Sequence, residues 1–197
     1  LPKNRIPVLT KVVKPNRLEK VYKFIKDQVK EGFQCIVVYP LVEESEKSDL
    51  AAAVDAYKSF DQKIFQNISV GLVHGKMKSE EKKSIMKLFS KNQISLLVST
   101  TVIEVGVDIP NATIMLIEHA ERFGLTQLHQ LRGRVGRGIG KSYCILVRRK
   151  ISDTSNKRLE IMEETNDGFL IADEDLKLRG PGQFFGIKQS GFFKFKI

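Results

Sequence analysis

The chain has 197 residues, room for one full-sized domain and an appendage. Its 42% hydrophobic content with mixed charge reads as globular, not disordered, and no apolar run approaches the roughly 18 residues that a membrane span needs. The formal net charge is +10, and between 121 and 158 ten Lys or Arg stand against two acids, which points to a polyanion such as nucleic acid or nucleotide, with a generic basic surface as the alternative.

Pro7 to Val13 reads as a short strand stopped by Pro15. Arg17 to Glu31 places Leu18, Val21, Tyr22, Ile25 and Val29 on one helical face, and Gly32 ends the helix. Cys35 to Tyr39 is nearly all apolar, as expected of a strand covered on both faces. Ser45 to Phe60 predicts a helix with Leu50, Val54 and Tyr57 inward, and Ile68 to His74 the next strand. Ser79 is the expected N-cap of a helix with Glu80 and Glu81 in its first turn and Ile85, Leu88 and Phe89 facing the core. Ile94 to Val98 and Thr113 to Ile117 read as buried strands, Leu125 to Leu131 as a short helix, and Tyr143 to Val147 as a last strand. Lys157 to Glu164 and Leu170 to Leu178 predict two further helices, before an aromatic cluster of Phe184, Phe185, Phe192, Phe193 and Phe195.

Strands alternating with helices predict βαβ units, a parallel sheet and right-handed crossovers, with ligands gathered at the carboxyl ends of the strands. The loops at 39–45, 74–78, 99–111 and 118–138 mostly follow strands, so candidate chemistry lies along one sheet edge. The expected division is a sheet domain over 1–150 and a mainly helical or irregular C-terminal segment over 151–197. Cys35 and Cys144, isolated in apolar runs, suit neither a metal site nor a disulfide framework, and a reduced cytoplasmic compartment is expected. A start at Leu1 without Met and an end inside an apolar stretch read as a piece of a longer protein.

A P-loop is missing, because Gly140-Lys-Ser142 precedes a strand and has Val135 where the first glycine belongs. No Asp-Glu pair ends an apolar strand, and no His, Cys and Asp cluster has metal spacing, so the chain alone is expected to hydrolyse nothing. A structural or surface role is the ordinary reading for His74, His119 and His129. What stands out is Gln130-Leu-Arg-Gly-Arg-Val-Gly-Arg-Gly138, three arginines among glycines with no acid beside them. Arginine's planar fork suits phosphate oxygens, although such a loop can also be a solvated turn. Ser99-Thr-Thr101 and Glu104 to Asp108 offer hydroxyls, a glycine and a carboxylate after a buried strand, fit either for phosphate and ribose or for an N-cap and an acidic loop.

The order Gln-x-x-Gly-Arg-x-x-Arg from Gln130 to Arg137 resembles motif VI of superfamily 2 helicases. The resemblance implies that Arg134 and Arg137 reach the γ-phosphate of ATP held by another domain, with Gln130 on the same nucleotide-facing side. The stretch from 99 to 108 resembles motif V, which implies that Thr100 and Thr101 face the nucleic-acid backbone and that Gly106 and Asp108 face ATP. Val38 to Glu43 resembles motif IV, and His74-Gly-Lys-Met77 takes the place of the segment that touches the tracked strand. Tyr39, Pro40, His74 and Gly75 are therefore nucleic-acid candidates, with ordinary loop residues as the alternative.

Residues 124–137 are similar to a run shared by RecG helicases and transcription-repair coupling factors. Asp167 to Gly191, centred on Asp175-Leu-Lys-Leu-Arg-Gly-Pro-Gly-Gln-Phe-Phe-Gly186, resembles the motif that couples ATP turnover to movement on duplex DNA in both. It nominates Arg179, Gln183 and Gln189 as coupling residues, against a structured turn. The Arg179-Gly-Pro-Gly182 form and Glu43 to Lys47 favour RecG. The resemblance implies a RecA-like second motor domain with helices on both faces of its sheet. It also implies ATP and Mg²⁺ held mainly by a first RecA-like domain of the same polypeptide, branched or duplex DNA as partner, a monomer, and branch migration at stalled forks and Holliday junctions. The rivals are the coupling-factor motor and a non-catalytic nucleic-acid-binding domain; a metabolic α/β enzyme fits least.

Overall fold

The computed structural model describes residues 6–41, 46–100, 109–136, 138 and 140–179. Six strands, β1 (Leu9–Val13), β2 (Gln34–Tyr39), β3 (Val70–Val73), β4 (Leu96–Thr100), β5 (Ala112–Ile117) and β6 (Tyr143–Val147), form one sheet in the order β1-β6-β5-β2-β4-β3. Every pairing is parallel. The helices are α1 (Leu18–Lys30), α2 (Glu46–Ser59), α3 (Ser79–Ser90), α4 (Leu125–Arg132), α5 (Asp153–Glu164) and α6 (Gly168–Arg179).

Two apolar layers explain the burial of the central strands. Cys35 and Val37 of β2 and Ile114 and Leu116 of β5 meet Leu18, Val21 and Ile25 of α1 and Ala53 of α2. Ile36 and Val38, with Met115 and Ile117, point the other way, onto Phe89 of α3, Leu125 and Leu128 of α4, Leu159 and Met162 of α5 and Ile171 of α6. A parallel sheet needs both faces covered, and each fully buried Ile or Phe contributes about 1.5–3 kcal/mol. Tyr22, Phe60 and Phe65 close the first layer edge to face, with centroids 5.3–5.6 Å apart. Buried Gln34 straps the second, its Nε2 donating to the carbonyls of Phe89 at 2.6 Å and Ile94 at 2.7 Å. Gly32 has φ of 93°, the left-handed stop expected after α1. Cys35 and Cys144 are free, buried, and on opposite faces of the sheet.

Three local expectations need correction. In α2 the inward positions are Asp49 and Ala53, not Leu50 and Val54, which flank them half-buried. A carboxylate tolerates that place because an arginine meets it, as described below. In α3, Ile85 and Phe89 form the inward i, i+4 row, and Leu88, about 100° round the helix, is 40% exposed. The N-cap of α3 is Lys78, with Ser79 the first helical residue, and the Lys78 N–H donates to the Glu81 carboxylate at 3.3 Å.

Because all strands run the same way, their carboxyl ends share one edge. That edge carries Tyr39-Pro40, His74-Gly75, Thr100, the segment 118–122 and Arg148 to Lys150.

Candidate nucleotide and nucleic-acid site

α4 begins where the Gly124 N–H donates to the Gln127 side chain at 2.9 Å, and it buries Leu125 and Leu128. The opposite face leaves Gln130 exposed. Arg132, the last residue of α4, is only 2% exposed. Its Nη1 donates to the Met162 carbonyl at 2.8 Å, the Thr165 carbonyl at 2.9 Å and the Thr10 hydroxyl at 3.2 Å. Its Nη2 lies 3.0 Å from His129 Nδ1, which must accept, so the ring proton sits on Nε2. Burial pulls the Arg132 pKa down. This arginine is structural.

Arg134 differs. It follows the helix on a turn closed by its N–H to the Leu131 carbonyl at 2.9 Å, and it is half-buried. Among the described residues no carboxylate pairs with it. Gly136 has φ of 81°, and a Cβ there would lie 2.8 Å from Val8 Cγ2. A Cβ on Gly138 would collide with the Pro110 carbonyl oxygen. Gly136 thus lies against Val8, before β1, and Gly138 against Pro110, in the chain that follows residues 101–108. Gly136→Ala is expected to destabilise the fold by more than about 1 kcal/mol through left-handed strain and the clash with Val8. Urea unfolding measures it, and an unchanged midpoint would reject the reading. Arg137, Thr101, Gly106, Asp108, Gln183 and Gln189 lie outside the described residues. Arg179 ends α6, and its side chain lies outside them as well.

The nucleic-acid candidates come together by strand register. Tyr39 of β2 pairs with Thr100 of β4, and Val73 of β3 pairs with Ser99, so His74 is level with Thr100 on the adjoining strand. Thr100 is 2% exposed, and its Oγ1 lacks a hydrogen-bond partner among the described residues. Tyr39 is 8% exposed and belongs to the layer under α1 and α2; burial, then Glu118, pushes its phenol far up. Pro40 is buried and Gly75 exposed. His74 is half-buried, and burial, then Lys82, lowers its pKa. Lys82 Nζ donates to the Gly75 carbonyl at 3.1 Å. No group of three or more metal-binding side chains occurs among the described residues.

The family model for the helicase conserved C-terminal domain matches residues 14–138. The chain belongs to that family. The model described as ATP-dependent DNA helicase RecG, domain 3, C-terminal, matches residues 165–197. The ATP-dependent DNA helicase RecG of Synechocystis sp. is 51% identical over 197 residues, covering all of this chain and 24% of that protein. RecG bound to a three-way DNA junction superposes with a TM-score of 0.79 at 43% identity, over 93% of this chain and 24% of that one. The second domain of the DEAD-box helicase Mss116p, bound to an RNA duplex, shares the fold at a TM-score of 0.56 and 23% identity, over 86% of this chain and 68% of that one. The helicase domain is RecG-like throughout and RecA-like in fold, and it spans about a quarter of the length of the relatives it matches.

Sequence reading missed a buried ionic network at the same sheet edge of this helicase domain. Asp49 takes a fork from Arg122, at 2.6 Å and 2.9 Å. Glu118, fully buried, takes Arg149 Nε at 2.9 Å and Nη2 at 3.3 Å. Glu121 accepts the N–H groups of Arg149 at 3.1 Å and Lys150 at 3.3 Å, and lies 3.4 Å from His119, which is held at φ of 49°. Each guanidinium is raised in pKa first by its carboxylate hydrogen bond. The basic excess from 121 to 158 is thus no bare field. Arg122 and Arg149 are neutralised by carboxylates outside that window, and Arg132, Arg148 and Arg158 serve internal oxygens.

Proposed function

We propose that this chain is the second motor domain of an ATP-dependent duplex-DNA translocase that remodels stalled forks and Holliday junctions in DNA repair and recombination. One observation carries the reading. Arg134 follows α4 with no carboxylate partner among the described residues, while Arg122, Arg132 and Arg149 are all engaged. A guanidinium left in that state is available for a phosphate supplied by another domain.

Arg134 and Arg137 stabilise charge on the transferring γ-phosphoryl group, and Gln130, exposed on the same helix end, faces the nucleotide. Gly106 and Asp108 complete the nucleotide side. The missing first motor domain of the same polypeptide binds ATP with Mg²⁺, which neutralises phosphate charge. Tyr39, Pro40, His74, Gly75, Thr100 and Thr101 line the strand-contacting edge, with residues 39, 74 and 100 at one level by register. Residues 151–197 form the translocation segment, where Arg179, Gln183 and Gln189 couple domain closure to movement on duplex or branched DNA. The protein works as a monomer in the cytoplasm.

The test compares ATP turnover by the purified chain with turnover by the full-length protein, each with and without duplex DNA. The chain alone is expected to show none, and the full-length protein DNA-stimulated hydrolysis. Measurable DNA-stimulated turnover from the chain alone would defeat the proposal.

A further inference from the structure

We propose that the Asp49–Arg122 ion pair is a positioning strut that carries the response to DNA from the end of β3 to the helix bearing Gln130 and nearby Arg134. This inference rests on the motor-domain reading above. Asp49 lies in the first turn of α2 and is 7% exposed. Both its oxygens accept from the Arg122 guanidinium, 73 residues away, at 2.6 Å and 2.9 Å. A two-bond fork fixes orientation as well as distance, which a single contact does not.

Each end of the strut leads to a different part of the site. Arg122 closes the short turn Ala120–Arg122 after β5, and α4 begins three residues later. That turn is held from behind by Arg158, which donates to the carbonyls of Phe123 at 2.8 Å and Glu121 at 3.2 Å. At the other end Glu46, one helical turn before Asp49, pairs with Lys76 at 3.2 Å, in the loop that carries His74 and Gly75. The first turn of α2 is therefore joined by charge to the loop after β3 and to the turn after β5.

The two pairs differ in strength. Lys76 and Glu46 are about half exposed, and such a pair contributes little by itself. The Asp49–Arg122 fork resists separation, because a buried ion left without its partner is strongly unfavourable. When the loop after β3 shifts on a bound strand, the first turn of α2 moves with it. The fork passes that displacement to Arg122 and so to the entry of α4.

The experiment measures ATP turnover of the full-length protein with and without duplex DNA for the unaltered chain, Asp49→Asn and Arg122→Lys, with melting temperatures alongside. Asp49→Asn is expected to lower DNA-stimulated turnover about tenfold while turnover without DNA stays within about twofold. Arg122→Lys, which keeps the charge and loses the fork, is expected to fall between the two. Parallel loss of both turnovers, or full stimulation in Asp49→Asn, would overturn the strut. Should Asp49→Asn melt too early to assay, unchanged stimulation in Arg122→Lys overturns it alone. An unaltered protein that DNA does not stimulate would overturn the motor-domain reading, and the strut with it.

Discussion

Replacing Arg134 by alanine in the full-length helicase is expected to slow ATP hydrolysis by about 10³- to 10⁵-fold and to leave ATP binding intact. That loss corresponds to about 4–7 kcal/mol of barrier. The split between binding and turnover follows from where charge develops. On the proposed reading, a phosphate gripped by another domain is held before this arginine engages, so the ground state loses little. The transition state spreads negative charge over oxygens that a guanidinium meets in the plane of its fork. The same outcome is expected for Arg137→Ala. Arg134→Lys should recover only part of the rate, because an ammonium supplies charge without the fork. Single-turnover hydrolysis and equilibrium nucleotide binding separate the two quantities. Normal turnover in Arg134→Ala would reject its assignment to the phosphate. Stability should barely change, since among the described residues its side chain pairs with no carboxylate.

The elements legible in the sequence were those whose burial follows from a local repeat. β2 and β5 announce themselves as unbroken apolar runs because helices cover both their faces. α1 shows a clean stripe from Leu18 to Val29, ended by a glycine that does take a left-handed φ. Periodicity failed where a charge took an inward position. Asp49 reads as a solvent-facing acid in α2, and only Arg122, 73 residues on, makes its burial tolerable. Glu118 looks like the polar end of β5, and its partner Arg149 is 31 residues away. Long-range pairs of this kind leave no spacing signal in one chain. Counting charges from 121 onward also made the region seem more basic than it is, because both neutralising carboxylates lie before that window. In the candidate site, strand order and register align residues 39, 74 and 100. The motif order alone could not separate the three arginines of 132–137 by role. Burial distinguishes two of them, with Arg132 inside and Arg134 half-buried.

Arg132 should therefore give the opposite result to Arg134, although the two are separated by one glycine. Alanine at 132 removes four hydrogen-bond contacts at once and leaves the carbonyls of Met162 and Thr165 without this donor. Each buried group left unsatisfied costs about 1–3 kcal/mol. The loss is partly offset, because burial already disfavours the charged guanidinium, as its lowered pKa records. A net destabilisation of about 3–5 kcal/mol is expected, a large fraction of the roughly 5–15 kcal/mol that holds a domain folded. For a chain of this length that is a fall in melting temperature of about 6–20 °C. Arg132→Lys keeps the charge, cannot span four partners from one atom, and should fall between. Thermal unfolding of the 197-residue chain gives the comparison directly. A shift below about 2 °C in Arg132→Ala would mean that these carbonyls find other donors, and that the bond set around Arg132 does not hold α4 against α5. A large shift there with none in Arg134→Ala would establish that adjacent arginines of one motif divide the work, one anchoring the helix end and the other left open to phosphate.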